Sequence, residues 1–207
     1  MIPWTGGEPK NFAEFFQFYH DYIKSLYSAV QVQNALPSEV LFELNAALDH
    51  IARHWTYQEE EARVVGKAYS HCKRACLDIF KIKLRETRKQ YDELLTIDTS
   101  VIDNGDFDSS LRQLWHDIKT EATEARRLEG RAATDDDTIP LFEPWEKVFV
   151  KCERLGSEYY LHPKIEWAKK RAQKRSIYQR LNNWIVGFIL GVCGSILASV
   201  LYEKFLR

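Results

Sequence analysis

A run of nineteen uncharged residues near the C-terminus constrains this chain more than any other feature. It reads WIVGFILGVCGSILASVLY, from Trp184 to Tyr202. As an α-helix it would be about 28 Å long, close to the roughly 30 Å hydrocarbon core of a bilayer. Trp184 and Tyr202 stand at its two ends, where amphipathic rings favour the headgroup region. The run therefore predicts a single transmembrane helix rather than a helix buried in a soluble core.

The residues before this run form a basic band in an otherwise acidic chain. The segment 164–180 carries seven Lys or Arg against one Glu, a local charge of +6. Because the whole chain is −1 and residues 203–207 add +1, residues 1–163 carry −8. The excess of Lys and Arg on one flank predicts that this flank and the body face the cytoplasm.

The same band predicts a lipid partner. Each Lys or Arg near an anionic membrane surface contributes about 1 kcal/mol of attraction. A basic stretch between an acidic body and an apolar helix fits lipid headgroups better than nucleic acid. The residues expected at the membrane surface are Lys169, Lys170, Arg171, Lys174, Arg175, Arg180, Trp184 and Tyr202.

The rest of the chain indicates where the body resides. The opening residues MIPWTGGEPK lack the basic start and apolar stretch of a secretory signal. The four cysteines show no disulfide framework, which fits a reducing compartment. We therefore expect a single-pass protein of the cell inner membrane with its N-terminal bulk in the cytoplasm. Its parts are a cytosolic helical bundle at 1–162, a basic juxtamembrane helix at 163–183, the transmembrane helix at 184–202 and a short tail at 203–207.

Small residues recur at four-residue intervals within and before the predicted span. Helices associate in membranes through close van der Waals contact, and small side chains permit that approach. The pattern predicts a homo-oligomer that packs through one helix face, provided that one helix runs from Pro163 to about Leu201. The residues of this face are Gly187, Gly191, Ser195 and Ser199, preceded by Ala168, Ala172 and Ser176.

The body is predicted to be all-α, because Gly and Pro are sparse and no segment alternates with period two. A cytosolic helical bundle with one C-terminal transmembrane helix is the expected fold class. In the loop 98–110, Asn104 and Gly105 are expected to adopt positive φ angles. The predicted helices span 11–33, 39–55, 59–95, 108–131 and 143–161, with a last helix from Pro163 and an acidic turn at 134–140.

One polar cluster merits a chemical interpretation. Glu43, His50 and His54 share a helix face and could hold a metal or move a proton. The alternative is structural: Asp49 pairs with Arg53 on the solvent side, and the histidines pack or cap locally. The structural alternative is favoured, because the HExxH motif and the Glu-x-x-His pairs of di-iron bundles are missing.

Other potential sites match known motifs poorly. His71, Cys72 and Cys76 lack CxxC spacing and a second pair, so two half-buried cysteines are expected there rather than zinc. The acidic loop around Gly105 does not fit a calcium loop, and no phosphate-binding or hydrolase motif occurs. We therefore predict no metal site, no cofactor and no enzymatic activity.

The segment LPSEVLFELNAALDHIARHW, residues 36–55, resembles a helix of the HEPN-like bacterial proteins. Ribonucleases of that superfamily place a His after an Arg with four to six residues between them. Here the corresponding pairs, Arg63 with His71, Arg154 with His162 and Arg112 with His116, each miss that spacing by one residue. The resemblance implies a helical module without the nuclease site. Such modules, fused to membrane segments, occur among effectors of bacterial antiviral defence.

Three hypotheses of function follow. The first is a non-enzymatic, membrane-anchored protein that self-assembles through its transmembrane helix, as a pore-forming or membrane-disrupting effector. The second is a membrane-tethered scaffold that recruits a soluble protein partner. The third is a membrane-tethered HEPN-like nuclease that uses Glu43, His50 and His54. The sequence indicates no particular signalling ligand or partner.

Overall fold

The computed structural model describes residues 7–31, 37–132 and 142–205, which are almost entirely helical and contain no strand. Within these ranges the side chains of residues 132, 172, 173, 175–177, 179, 180 and 196–205 are not described. The helices are α1 (Phe12–Phe18), α2 (Lys24–Val30), α3 (Ser38–Tyr57), α4 (Glu61–Leu95), α5 (Asp106–Ala132), α6 (Phe142–Arg154) and α7 (Pro163–Phe205). The prediction of an all-α bundle is confirmed for these residues.

The central element is α4, whose 35 residues make a helix about 52 Å long. Apolar side chains are buried along its full length, from Val64 to Leu94. The first half of α4 packs against α1, α2 and α3, as in the edge-to-face contact of Tyr69 with Phe18. The second half packs against α5 and α6, where Tyr91 stacks on Trp115 with ring centroids 4.8 Å apart. One long helix thus joins two layers of shorter ones.

Local sequence signals explain where the helices begin and end. Asn11 caps α1, since its side-chain oxygen accepts a hydrogen bond from the Glu14 N–H at 2.9 Å. Gln58 ends α3 with a φ of 56°, a left-handed conformation that often terminates helices. Glu61 then opens α4, where a carboxylate suits the positive end of the helix dipole.

Two helices contain a π-helical turn that sequence periodicity did not predict. Tyr19–Ile23 lies between α1 and α2, and Leu155–Tyr160 follows α6. The predicted helix 11–33 is therefore Phe12–Val30 with a π turn, and residue 33 lies outside the described range. The predicted helix 143–161 is α6 followed by the second π turn. Each insertion rotates the buried face, so the apolar pattern continues across it with a changed phase.

The loop after α4 is shorter than predicted. Two 3₁₀ turns, Thr99–Val101 and Asp103–Gly105, fill most of it, and α5 begins at Asp106. The predicted start of this helix at residue 108 is two residues late, because the 3₁₀ turns lead directly into it. The positive φ angles of Asn104 and Gly105 are confirmed at 55° and 95°. The predicted acidic turn at 134–140 lies outside the described residues.

The buried aromatic cluster between α4 and α6 makes the fold testable. Phe80 is fully buried, and its ring contacts those of Phe142 and Phe149 at 5.9 and 5.4 Å. We expect Phe80→Ala to lower the free energy of unfolding by about 3–5 kcal/mol, because it removes buried area and leaves a cavity. The exposed Phe42, in Phe42→Ala, should change it by less than about 0.5 kcal/mol. Urea unfolding followed by circular dichroism measures both, and equal effects would contradict the packing.

Candidate functional site

The base of α7 is fixed to the bundle near the C-terminal end of α4. Ile165 and Ala168 are buried in the core shared with the body. The ammonium of Lys164 pairs with Asp103 in the second 3₁₀ turn, with Nζ 2.6 Å from Oδ1. Just before the helix, the Tyr160 hydroxyl donates to Glu93 of α4 at 2.6 Å. These contacts set where α7 leaves the body.

Beyond this base, the described side chains of α7 are exposed. Arg171 lies over the ring of Trp167, 5.2 Å from its centroid, and Lys169 bonds Glu166 at 3.2 Å. Lys170 and Lys174 are exposed as well. The side chains of Arg175, Arg180 and Tyr202 lie outside the described set.

The described side chains in the apolar part of α7 are not covered by any other described part of the chain. Every described side chain from residue 181 to 195 is exposed, including Trp184 at 69% and Leu190 at 67%. Trp184 stacks on Phe188 along the helix, with centroids 5.9 Å apart. A contiguous apolar surface of this kind marks a contact with lipid or with another protein.

The predicted span is only partly represented by described side chains. Residues 184–195 fall inside that set, whereas the side chains of 196–202 do not. In the described part of the chain, no helix is both long enough and apolar enough to traverse a bilayer. The helical backbone itself continues without interruption from Pro163 to Phe205, as the sequence predicts.

In the structure, one part of the predicted small-residue face is open and another part is buried against the body. A Cβ atom added at Gly187 or Gly191 would meet no atom within 4 Å, so this part of the face is open to a neighbouring helix. Ser195 is exposed as well. Ala168, in contrast, is only 2% exposed because it packs against the body of its own chain. The prediction that Ala168 faces a second copy is therefore wrong, while the side chains of Ala172, Ser176 and Ser199 lie outside the described set.

The structure does not bring Glu43, His50 and His54 together in one cluster. Glu43 instead contacts α4, where its Oε2 accepts a hydrogen bond from His71 Nδ1 at 2.7 Å. Arg74 Nε donates to the same oxygen at 3.2 Å. The ring of His50 stacks on that of His71, with centroids 5.1 Å apart. The cluster is thus Glu43, His50, His71 and Arg74, built across the interface of α3 and α4.

His54 has a separate, structural position. Its Nδ1 bonds the Glu59 carbonyl oxygen at 2.8 Å, which closes the turn between α3 and α4. Its ring meets Phe12 edge-on, with centroids 5.0 Å apart. On the solvent side Arg53 pairs with Asp49 at 3.0 Å, as the structural alternative predicted.

Within the α3–α4 cluster, the surroundings of His50 disfavour its protonated form. Partial burial lowers the pKa of His50, and the neighbouring His71, Lys67 and Arg53 lower it further. His50 Nδ1 is buried and has no hydrogen-bond partner among the described residues. A carboxylate orients His71, which is the arrangement of a general base. Among the described residues, no group of three or more metal-binding side chains occurs.

Cys72 and Cys76 on the same helix are buried more deeply than predicted. They are 1% and 0% exposed and belong to the hydrophobic core. Burial raises the pKa of the Cys72 thiol to about 12, with a smaller contribution from Glu43. Both therefore behave as small apolar side chains.

Comparisons of this chain with protein-family models, with curated proteins and with solved structures find no match. The resemblance of residues 36–55 to HEPN-like proteins therefore stays a prediction.

The low pKa of His50 predicts a specific pH dependence of stability. In the unfolded chain His50 binds a proton below about pH 6.5, whereas the folded chain binds it only at lower pH. This site therefore stabilises the fold least in acid, and stability is lost as the pH falls from about 6.5 through the lowered pKa. We expect His50→Phe, which keeps the ring stacking, to lose less stability than the native chain between pH 7.5 and 5.5.

Thermal unfolding midpoints at a series of pH values measure this difference. Carboxylates elsewhere titrate in both proteins and cancel in the comparison. Parallel curves for the native chain and His50→Phe would contradict the assignment.

Proposed function

We propose that this chain is a membrane-anchored helical protein whose bundle lies on the cytoplasmic side and whose α7 crosses the bilayer. The observation that carries the proposal is the exposed apolar surface at residues 184–195, on a helix whose buried contacts with the bundle, among the described residues, lie at its base. Full burial of one large apolar side chain is favourable by roughly 1.5–3 kcal/mol. A bilayer around this surface would bury many at once.

The basic band supports the same orientation. Lys174 precedes Trp184 by ten residues, about 15 Å along the helix. If Trp184 lies among the headgroups, the exposed Lys169, Lys170 and Arg171 lie farther out on the cytoplasmic side, with Lys174 nearest the surface. Anionic lipids would attract this band, while the acidic body would stay clear of the membrane.

The proposal includes self-assembly through α7. Gly187 and Gly191 lie on one side of the helix and leave room for close approach of a second backbone. Beyond residue 171 the described side chains of α7 are exposed, so this face is available to another copy. Because Ala168 is buried, the assembling face is shorter than the sequence suggests and lies within the predicted span.

Replacement of both glycines tests the anchor and the assembly together. We expect Gly187→Ile/Gly191→Ile to float with lipid vesicles as the native chain does, because the helix becomes more apolar. Its mass in mild detergent, measured by light scattering, should fall from a discrete oligomer to the monomer, because the branched side chains keep the backbones apart. The control Val186→Ile/Val192→Ile adds bulk beside the small-residue face and should keep the native mass.

Each part of the proposal would be contradicted by a different result. A native chain that stays monomeric would overturn self-assembly and leave the anchor. A native chain that does not float with vesicles would overturn the anchor. Leakage of a trapped dye from the same vesicles tests pore formation, which requires leakage with the native chain and little with the double-Ile variant.

A further inference from the structure

A groove separates two helices of the body that both pack on α4. The α1–α2 segment and α3 run antiparallel on either side of it, and Cys72 of α4 lies at its floor. The groove has a volume of about 560 Å³ and mostly apolar walls. Its walls include Phe15, Phe16, Tyr19, Leu41, Leu48 and Ile51.

The groove gives a role to apolar side chains that are exposed to solvent. Leu48 is 65% exposed, although it shares an apolar stripe of α3 with the buried Ile51, and Phe16 is 49% exposed. Tyr19 belongs to the π-helical turn, and such turns are frequent at binding sites. The volume falls within the range of small-molecule sites, which are also lined mainly by apolar and aromatic side chains.

The dimensions of the groove select a narrow occupant. Its walls extend along α1 and α2 from Phe15 to Ser28, about 20 Å of helix. Over the same length a helix 10 Å wide occupies about 1,600 Å³, so a partner helix would insert only part of its width between the walls. An extended peptide would fit, but most of its backbone N–H and C=O groups would lack partners there.

The charged residue in the groove lining indicates the chemistry of one end of the occupant. Lys24 is the only charged residue among the lining residues, and it forms no ion pair with the described part of the chain. Ser28 and Asn45 supply polar groups near the same end of the groove, opposite Phe15 and Ile51. An unbranched apolar chain that ends in an anion would place its tail between the helices and its charge at Lys24.

We propose that this groove binds a free long-chain carboxylate, with the alkyl chain between α1–α2 and α3 and the carboxylate at Lys24. The source is a free amphiphile rather than a lipid of the anchoring membrane. Cys72 lies 23 residues before Leu95, so the groove is about 34 Å along α4 from the end where α7 begins. The site itself does not depend on the membrane anchor.

Photo-crosslinking on the full chain in lipid vesicles tests the site. The probe is palmitate with a photoactivatable group in its chain, and labelled peptides are located by mass spectrometry. We expect label in α1–α2 and α3 of the native chain. Leu48→Glu, at an exposed groove wall, should reduce this label at least tenfold. The matched control Phe42→Glu changes an equally exposed residue of α3 outside the groove and should keep the native level.

Charge reversal tests the head group. Lys24→Glu should weaken labelling by palmitate about fivefold and leave labelling by the corresponding long-chain alcohol unchanged. The control Lys89→Glu, on an exposed part of α4, should change neither.

The outcomes separate this site from the proposed anchor. Absent label in α1–α2 and α3, or equal label in Leu48→Glu and Phe42→Glu, would overturn the site. Equal loss of the acid and the alcohol probe in Lys24→Glu would overturn the assignment of the carboxylate. Label within residues 184–195 reports contact of α7 with lipid, and its presence or absence does not affect the result for the groove.

Discussion

Burial of α4 along its whole length is the constraint on which the rest of this structure depends. Because α4 is about 52 Å long, no single short helix can cover it, and different sets of shorter helices pack on its two halves. The layer near its C-terminal end holds the base of α7 through Ile165 and Ala168. The layer near its N-terminal end leaves a gap between α1–α2 and α3. The proposed anchor and the proposed ligand site are therefore consequences of how one helix is covered.

The helices were predictable where local and tertiary signals agree. The bounds of α4 and the start of α7 at Pro163 follow from acidic and proline residues at helix starts, together with long apolar periodicity. The π turns at Tyr19–Ile23 and Leu155–Tyr160 were not predictable, because an inserted residue shifts the phase without breaking the pattern. The first turn of α5 was missed because its acidic residues resemble a loop.

The sites were harder to predict because periodicity identifies an apolar face but not what covers it. Leu48 and Ile51 lie on the same stripe of α3 and both line the groove, yet Ile51 is 4% exposed and Leu48 is 65% exposed. Likewise, spacing along one helix grouped His50 with His54. The actual partner, His71, lies on the next helix, 13 residues after the turn at Gln58, whereas His50 lies 8 residues before it. Antiparallel pairing across that short turn is the signal that would have identified it.

The central claim is that lipid covers the apolar part of α7, and the native cysteines provide its most direct test. Cys72, Cys76 and Cys152 are buried, and burial raises the pKa of Cys72 to about 12 and of Cys152 to about 11, which suppresses the reactive thiolate. Cys193 is exposed on this chain and lies in the apolar run.

The measurement is the rate at which a polar, membrane-impermeant maleimide labels the full chain in sealed vesicles. Tyr178→Cys, at an exposed position in the basic band, supplies the reference rate. The account predicts rapid labelling at position 178 and almost none at Cys193. Labelling of Cys193 as fast as that of the reference would show that this surface is in water, and the anchor would have to be abandoned.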